Sequence, residues 1–471
     1  MGHRTRLLTA AAAAVLVAAS PGVAAADHGD RPAERLKALG HSPHPATFLG
    51  EPDGVRHINS DLAFWGDLAF NGNYDGFRVI DISSPREPRE IVHQRCNGDQ
   101  GDVFVWDDIL VRSWNSKKPE ARLCDGQVVP AGFEGVHVFD VSDPADPVLI
   151  GAVELPCGSH TLTGARDGDR LIVYSNNSSS TGCTGGDPAG DFIDVLQVPL
   201  DDPAGASLLR REPLEGPLTA IPTGCHDAGL ILGEANLLAC ASADAINVFD
   251  VGNRGGSLAD PAFLFTVTEP GVGQAGTNGR WHSAAFTWDG EVLVAGWEPG
   301  GGAEPECETV DPPVDKSVFF YDARTGAKLG QWTLPRGQDG VAENCTIHNY
   351  DVVPVEDRYV LVSGNYQAGT WVTEFTDPAN PVTLGYADPP ALVPPDLGGA
   401  WSSYWYNDFI YESSITEGLN VFRYRGHELK GARQLDHLNP QTQEFSLRRG
   451  SFVGETPAPV EIGQDDDGPD S

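Results

Sequence analysis

Apolar and polar residues alternate in short runs along almost the whole chain. Gly76-Phe77-Arg78-Val79-Ile80-Asp81-Ile82-Ser83 leads into Pro85 and Pro88. Gly135-Val136-His137-Val138-Phe139-Asp140-Val141-Ser142 leads into Asp143-Pro144 and Asp146-Pro147. A period of two is that of a half-buried strand. Each run then meets a proline-rich turn and a further apolar run such as Val148-Leu149-Ile150-Gly151. Weaker copies lie at Ala245 to Val251, Ser317 to Ala323, Thr370 to Thr376 and Gly418 to Tyr424, and a divergent one at Asp191 to Val198.

Two more short strands, joined by a tight polar turn, precede each copy. Examples are Leu62 to Trp65 and Leu68 to Asn71 around Gly66-Asp67, and Ala284 to Trp288 and Glu291 to Gly296 around Asp289-Gly290. The unit is therefore four strands, and seven such units fit between His57 and Asp436. Radial repetition of four-stranded antiparallel units predicts an all-β fold, a seven-bladed β-propeller. It spans residues 46–438, after an N-terminal extension over 27–45 and before a polar, acidic C-terminal tail over 439–471. Helical periodicity is confined to the first residues and to Ala33 to Leu39.

A propeller must hide its open edges. Pro45-Ala46-Thr47-Phe48-Leu49-Gly50 resembles the outer-strand runs Pro147-Val148-Leu149-Ile150-Gly151 and Pro381-Val382-Thr383-Leu384-Gly385. It is a candidate for the strand that completes the last blade, and Leu429 to Leu435 competes for that role.

The Val-Ile-Asp-Ile-Ser-x-Pro and Val-Phe-Asp-Val-Ser-Asp-Pro cores at residues 76–88 and 135–147 resemble those of the LVIVD-repeat family. The resemblance implies a propeller and export from a bacterial cell, and it implies no reaction.

The first residues also point to export. Arg4 and Arg6 precede a short apolar run, Leu7 to Ala19; Pro21-Gly22 breaks it, and Ala24-Ala25-Ala26 offers a small-residue cleavage site. Residues 1–26 read as a signal peptide, and no other stretch is long and apolar enough to span a bilayer. The expected location is secreted or at the cell surface. A net charge of −36 repels phosphate backbones and anionic membranes, which excludes nucleic acid as a partner. A monomer is expected.

Eight cysteines in an exported chain predict four disulfides. Cys96, Cys157, Cys225 and Cys345 lie at or just before first strands, whereas Cys124, Cys183 and Cys307 lie in long loops between second and third strands. Both places are on one face, so the expected pairs are Cys96–Cys124, Cys157–Cys183, Cys225–Cys240 and Cys307–Cys345. The loops Ser113 to Glu134, Asn176 to Asp191 and Glu298 to Lys316 are polar and rich in Gly and Pro. Trp114, Trp281, Trp297 and Trp401 also fall near this face.

The candidate chemistry is a repeated histidine. His57, His160, His226, His282 and His348 each stand ten or eleven residues before the second strand of their unit. The first strand of a blade lines the central channel, so the five imidazoles would gather at its mouth. Blade two offers Asp99 or Asp102 there, and blade seven only the region Gly398 to Ser402. Gathered imidazoles are good ligands for Cu, Fe or Zn. A repeated histidine can equally bond the backbone of the next blade, and the sequence leaves both readings open. No Gly-x-Ser-x-Gly elbow, phosphate loop, His-Glu-x-x-His or dinucleotide fingerprint is present. Two functions follow. One is a binding module whose disulfide-braced channel face takes an extracellular small molecule, carbohydrate or protein. The other is a metal-dependent enzyme, redox or hydrolytic, with a transition metal in the channel.

Overall fold

The computed structural model describes residues 33–44, 58–96, 98, 100–115, 117–177, 192–215, 224–242, 245–272, 279–299, 305–338, 343–392 and 397–447. Within them the chain is all-β apart from short 3₁₀ turns such as Pro203–Gly205 and Pro313–Lys316.

Five small sheets and one large sheet form a propeller-like arrangement. Each small sheet is an antiparallel meander that runs outward in chain order. The first holds Asn59–Trp65, Leu68–Asn73, Gly76–Asp81 and Arg89–Arg95. The other four begin with the inner strands Val103–Trp106, Thr161–Asp167, Cys225–Ile231 and Gly279–Phe286. The sixth sheet has nine strands. Its centre is a parallel pairing of two further inner strands, Asn349–Val352 and Ala400–Tyr406, through Asn349↔Ser402 and Tyr350↔Ser403. Seven separate blades were expected, and here two four-stranded units are hydrogen-bonded into one sheet. Gly364 explains the closeness: a Cβ there would stand 2.8 Å from the Ser402 carbonyl carbon. The inner strands touch their neighbours in a closed circuit, from Asn59–Trp65 round to Ala400–Tyr406 and back.

The repeat has local physical causes. Gly76, Gly135 and Gly418 open the third strand of their units at φ 147°, 141° and 122°. A Cβ at Gly76 would lie 1.8 Å from the Gln94 carbonyl oxygen, so the position tolerates only glycine. The Asp-x-Ser turn after the strand is held by its own aspartate. Asp81 Oδ1 accepts from the Ser83 N–H at 3.0 Å, and Asp140 Oδ1 from the Ser142 N–H at 2.9 Å. A bulge interrupts the pairing of third and fourth strands at Val79/Ile80, Val138/Phe139, Val195/Leu196, Val248/Phe249, Phe320/Tyr321 and Val372/Thr373.

Closure comes from the N-terminal segment. Leu36–Pro43 pairs antiparallel with Gly418–Tyr424, with the same kind of bulge at Ala38/Gly40. The helical periodicity of Ala33 to Leu39 is thus overridden, because the open edge of Gly418–Tyr424 supplies strand hydrogen bonds that an isolated helical turn lacks. Residues 45–50 lie outside the described residues, and Leu429 to Leu435 forms turns and coil, not a strand.

The other end of the channel is crossed by residues 437–447. His437–Leu438 pairs with Trp65 and Phe64, and Thr442–Gln443 runs parallel to Leu230 and Ile231. Asn439 bonds both the N–H and the C=O of Val105, each at 2.8 Å. The Leu447 N–H donates to the Trp288 carbonyl at 2.6 Å. Polar composition reads this stretch as tail. Its Asn439 side chain instead satisfies backbone groups of an inner strand, and Gln441 reaches the Tyr404 hydroxyl.

Candidate functional site at the channel mouth

The histidines stand where the inner strands begin. His160 directly precedes Thr161–Asp167, and His348 directly precedes Asn349–Val352; His226 and His282 are inside Cys225–Ile231 and Gly279–Phe286. His57 lies outside the described residues. His226 and His282 are bulge residues. The ladder passes from Cys225↔Ser242 to Asp227↔Ala241, and from Trp281↔Trp297 to Ser283↔Gly296, leaving each histidine unpaired in the strand. A bulge re-aims its side chain, here along the channel rim. Trp401 is the bulged residue at the same place in Ala400–Tyr406.

The four described imidazoles form a continuous arc. Ring centroids are 4.3 Å apart for His160 and His226, 4.0 Å for His226 and His282, and 4.1 Å for His282 and His348. Gln100 closes one end, its Nε2 3.2 Å from His160 Nε2, and so holds the second sheet's place on the rim. Asp102 points one layer deeper, where it accepts from the Leu162 N–H, and Asp99 lies outside the described residues. Trp401 closes the other end: His348 Nδ1 donates to its carbonyl oxygen at 2.6 Å. This bond fixes the tautomer and leaves Nε2 of His348 facing inward.

A carboxylate that sequence reasoning missed sits against the arc. Glu298, near the end of Val292–Pro299 and 3% exposed, has Oε1 3.9 Å from His282 Nε2 and 4.0 Å from His348 Nε2. The Tyr366 hydroxyl donates to that oxygen at 2.9 Å, and Arg280 Nε is 3.4 Å from Oε2. Glu298 comes from a second strand and repeats in no other unit, whereas Tyr366 comes from a later loop whose Gly364-Asn365-Tyr366 copies Gly72-Asn73-Tyr74 of the first unit. No spacing signal could have found Glu298; the repeated Gly-Asn-Tyr was the signal for Tyr366.

The imidazoles are neutral. Burial, then Arg280 and His348, lowers His160 to about 3. Burial, followed by neighbouring histidines and Arg280, holds His226 and His348 well below the ordinary range. Burial and Arg280 do the same for His282. Neutral rings are the form that binds metal. Nδ1 of His160, His226 and His282 is buried without a hydrogen-bond partner among the described residues.

Donor atoms of His226, His282 and Glu298 lie within 4.8 Å of one another. An imidazole nitrogen about 2.1 Å from an ion puts two rings at a right angle about 4.5 Å apart, and two at the tetrahedral angle about 5.2 Å apart. The observed 4.0–4.3 Å spacings are shorter than both values and nearer the right-angle one, so a shared ion would need the rings to spread by a few tenths of an ångström. His44, Asp75 and His93 form a second such group beside the N-terminal strand. Cys96 and Cys124 approach His137, but their sulfurs are joined.

Disulfides join Cys96 to Cys124, Cys225 to Cys240 and Cys307 to Cys345. Cys157 is also disulfide-bonded, and Cys183 lies outside the described residues. Trp114, Trp281, Trp297 and Trp401 are all buried. Trp281 packs edge-on to Trp297 and Phe319. No helix among the described residues is long and apolar enough to cross a membrane. The chain matches no known family model and no curated protein.

Proposed function

We propose that the chain is an exported seven-bladed β-propeller that holds a first-row transition metal at the mouth of its channel. The closed circuit of seven inner strands supports that blade count, with Leu36–Pro43 read as the outer strand of the last blade. The Asp-Ile-Ser-x-Pro turns and the basic, apolar N-terminus support membership of the LVIVD-repeat family and export. Disulfides suit an oxidising compartment.

One observation carries the metal reading. Nδ1 of three buried, neutral imidazoles, His160, His226 and His282, is unpartnered, and ligand atoms of two of them, His226 and His282, lie within 4.8 Å of the Glu298 carboxylate. Each unpartnered buried nitrogen costs about 1–3 kcal/mol, and coordination would offset that cost. His226, His282 and Glu298 are the primary ligands, with His348 and His160 alongside. Two imidazoles and one carboxylate with open positions suit Fe, and also Cu or Zn. A metal there would supply Lewis acidity or one-electron redox chemistry. Metal analysis of the full-length protein tests this. About one equivalent of Fe, Cu or Zn is expected, with affinity at least about 10-fold weaker in His226→Ala and Glu298→Ala. No metal after reconstitution overturns the reading.

A second reading, a binding module for an extracellular partner, is favoured by the disulfide-anchored hairpin Arg122–Cys124/Gln127–Val129. It presents Leu123 and Val128 at 57% and 70% exposure. A metal-free protein leaves this reading standing.

A further inference from the structure

The strand that closes the ring also lies against the first sheet. Leu36–Pro43 pairs with Gly418–Tyr424 of the nine-stranded sheet. On the other side, a Cβ at Gly40 would stand 2.2 Å from the Pro85 carbonyl oxygen. Arg78 Nη2 donates to Ser42 Oγ at 2.7 Å. Asn59 Nδ2 spans the seam, donating to the His44 carbonyl at 3.1 Å and the Ser414 carbonyl at 2.9 Å.

Three metal-binding side chains meet where this strand ends. His44 follows it directly, and its N–H donates to the Glu417 carbonyl at 2.7 Å. Asp75 stands in the turn between Leu68–Asn73 and Gly76–Asp81, and His93 in Arg89–Arg95 opposite Arg78. The Asp75 carbonyl accepts from the N–H of the disulfide-bonded Cys96 at 2.8 Å, which steadies the turn. Donor atoms of His44, Asp75 and His93 all lie within 4.8 Å of one another. Asp75 is buried and both histidines are half-buried, which leaves an ion a path in from solvent.

The spacings are those of ligands that share one ion. The His44 and His93 rings stand at 90° with centroids 4.8 Å apart. That falls between the about 4.5 Å of right-angle coordination and the about 5.2 Å of tetrahedral coordination, so these rings need not spread as those of the arc must. His93 Nε2 is 3.3 Å from Asp75 Oδ1. Two donors about 2.0–2.1 Å from a tetrahedral ion stand about 3.3–3.4 Å apart. A charge-assisted hydrogen bond would close to about 2.7–2.9 Å, and an Asp75–His93 ion pair alone would not need His44 at the same point. Arg95 donates to Oδ2 of Asp75, the outer contact that holds a ligating carboxylate in place.

We infer that His44, Asp75 and His93 bind Zn²⁺, with water in the fourth position, and that the ion latches the closing strand to the first sheet. Two imidazoles and a carboxylate are a zinc donor set, and zinc accepts the tetrahedral arrangement without redox chemistry. The site shares no ligand with the arc at the channel mouth and stands or falls apart from it.

The test uses full-length protein stripped with EDTA. Calorimetric titration with ZnCl₂ counts equivalents, and hydrogen exchange read by mass spectrometry follows residues 36–44 with and without zinc. At free zinc 100-fold above Kd, openings that break the site should become about 100-fold rarer, and exchange of the strand's amides should slow accordingly. His44→Ala and His93→Gln should each take up one equivalent less than the parent and lose the slowing. Glu298→Ala, which removes a ligand of the arc, should keep both. Equal zinc uptake by the parent and the two histidine variants, or exchange over 36–44 that zinc leaves unchanged in the parent, overturns the inference.

Discussion

Glu412 offers a quantitative test of how the ring is closed. It lies in Phe409–Ser414, one strand in from the pairing that seats the N-terminal strand. Thr370 Oγ1 donates to its Oε2, and Asn420 Nδ2 donates to Oε1 at 2.9 Å. Asn420 Oδ1 in turn lies 2.8 Å from Nδ1 of His41 on the closing strand. Burial pushes the Glu412 carboxyl up to about 7 from its ordinary 4.5; Glu417 adds to this, and the two hydrogen bonds oppose it. The folded state therefore binds this proton more tightly than the unfolded state. Its contribution is complete below pH 4.5, is lost as pH rises toward 7, and is flat above that. A shift of this size corresponds to about 3 kcal/mol. Glu412→Gln removes the titration and keeps the shape, since the Thr370 hydroxyl can turn to Ser403, 2.6 Å away. Denaturant unfolding of both proteins at several pH values, followed by tryptophan fluorescence, gives the difference directly. Between pH 4.5 and 8 the variant should gain about 3 kcal/mol on the parent. Parallel stability curves, agreeing within about 0.5 kcal/mol, would show that Glu412 does not hold a proton in the folded seam.

Two further substitutions probe the frame of the site. Asn439→Ala strands the buried N–H and C=O of Val105 and should cost about 2–4 kcal/mol in denaturant unfolding; a cost near zero would mean the C-terminal segment does not serve that strand. Trp281→Ala, beside His282, should cost about 3–5 kcal/mol, while Trp281→Phe costs under about 1.5 because Nε1 has no partner to lose. Equal losses in the two Trp281 variants, read by thermal or denaturant melts, would contradict the packing role.

The strands were legible because their cause is local. Alternation, the glycine at Gly76 and Gly135, and the Asp-x-Ser turns each act within a few residues. The row of histidines was legible because repetition copies a position in space as well as in sequence. What was missed is tertiary. Glu298 and Arg280 reach the arc from separate places and recur nowhere, and Tyr366 shares its Gly-Asn-Tyr only with residues 72–74. Ala33 to Leu39 carries good helix formers, yet the unpaired edge at Gly418–Tyr424 decides its conformation. Residues 437–447 look like solvated tail because Asn439 and Gln441 are polar, and only the fold shows that inner strands need amides there.

The channel sorts its donors by depth, and that sorting bears on selectivity. At the rim are neutral nitrogens with one carboxylate, held in van der Waals contact and kept from protonation by burial and by Arg280. Below them the buried donors are oxygens without a cationic partner among the described residues. Imidazole favours late first-row metals, and carboxylate with carbonyl favours hard cations, so the two layers differ in ligand type. Net charge cannot do this, since it attracts every cation alike. The placement of His226 and Asp227 on consecutive residues, with a bulge at the first, is what turns one strand toward both layers.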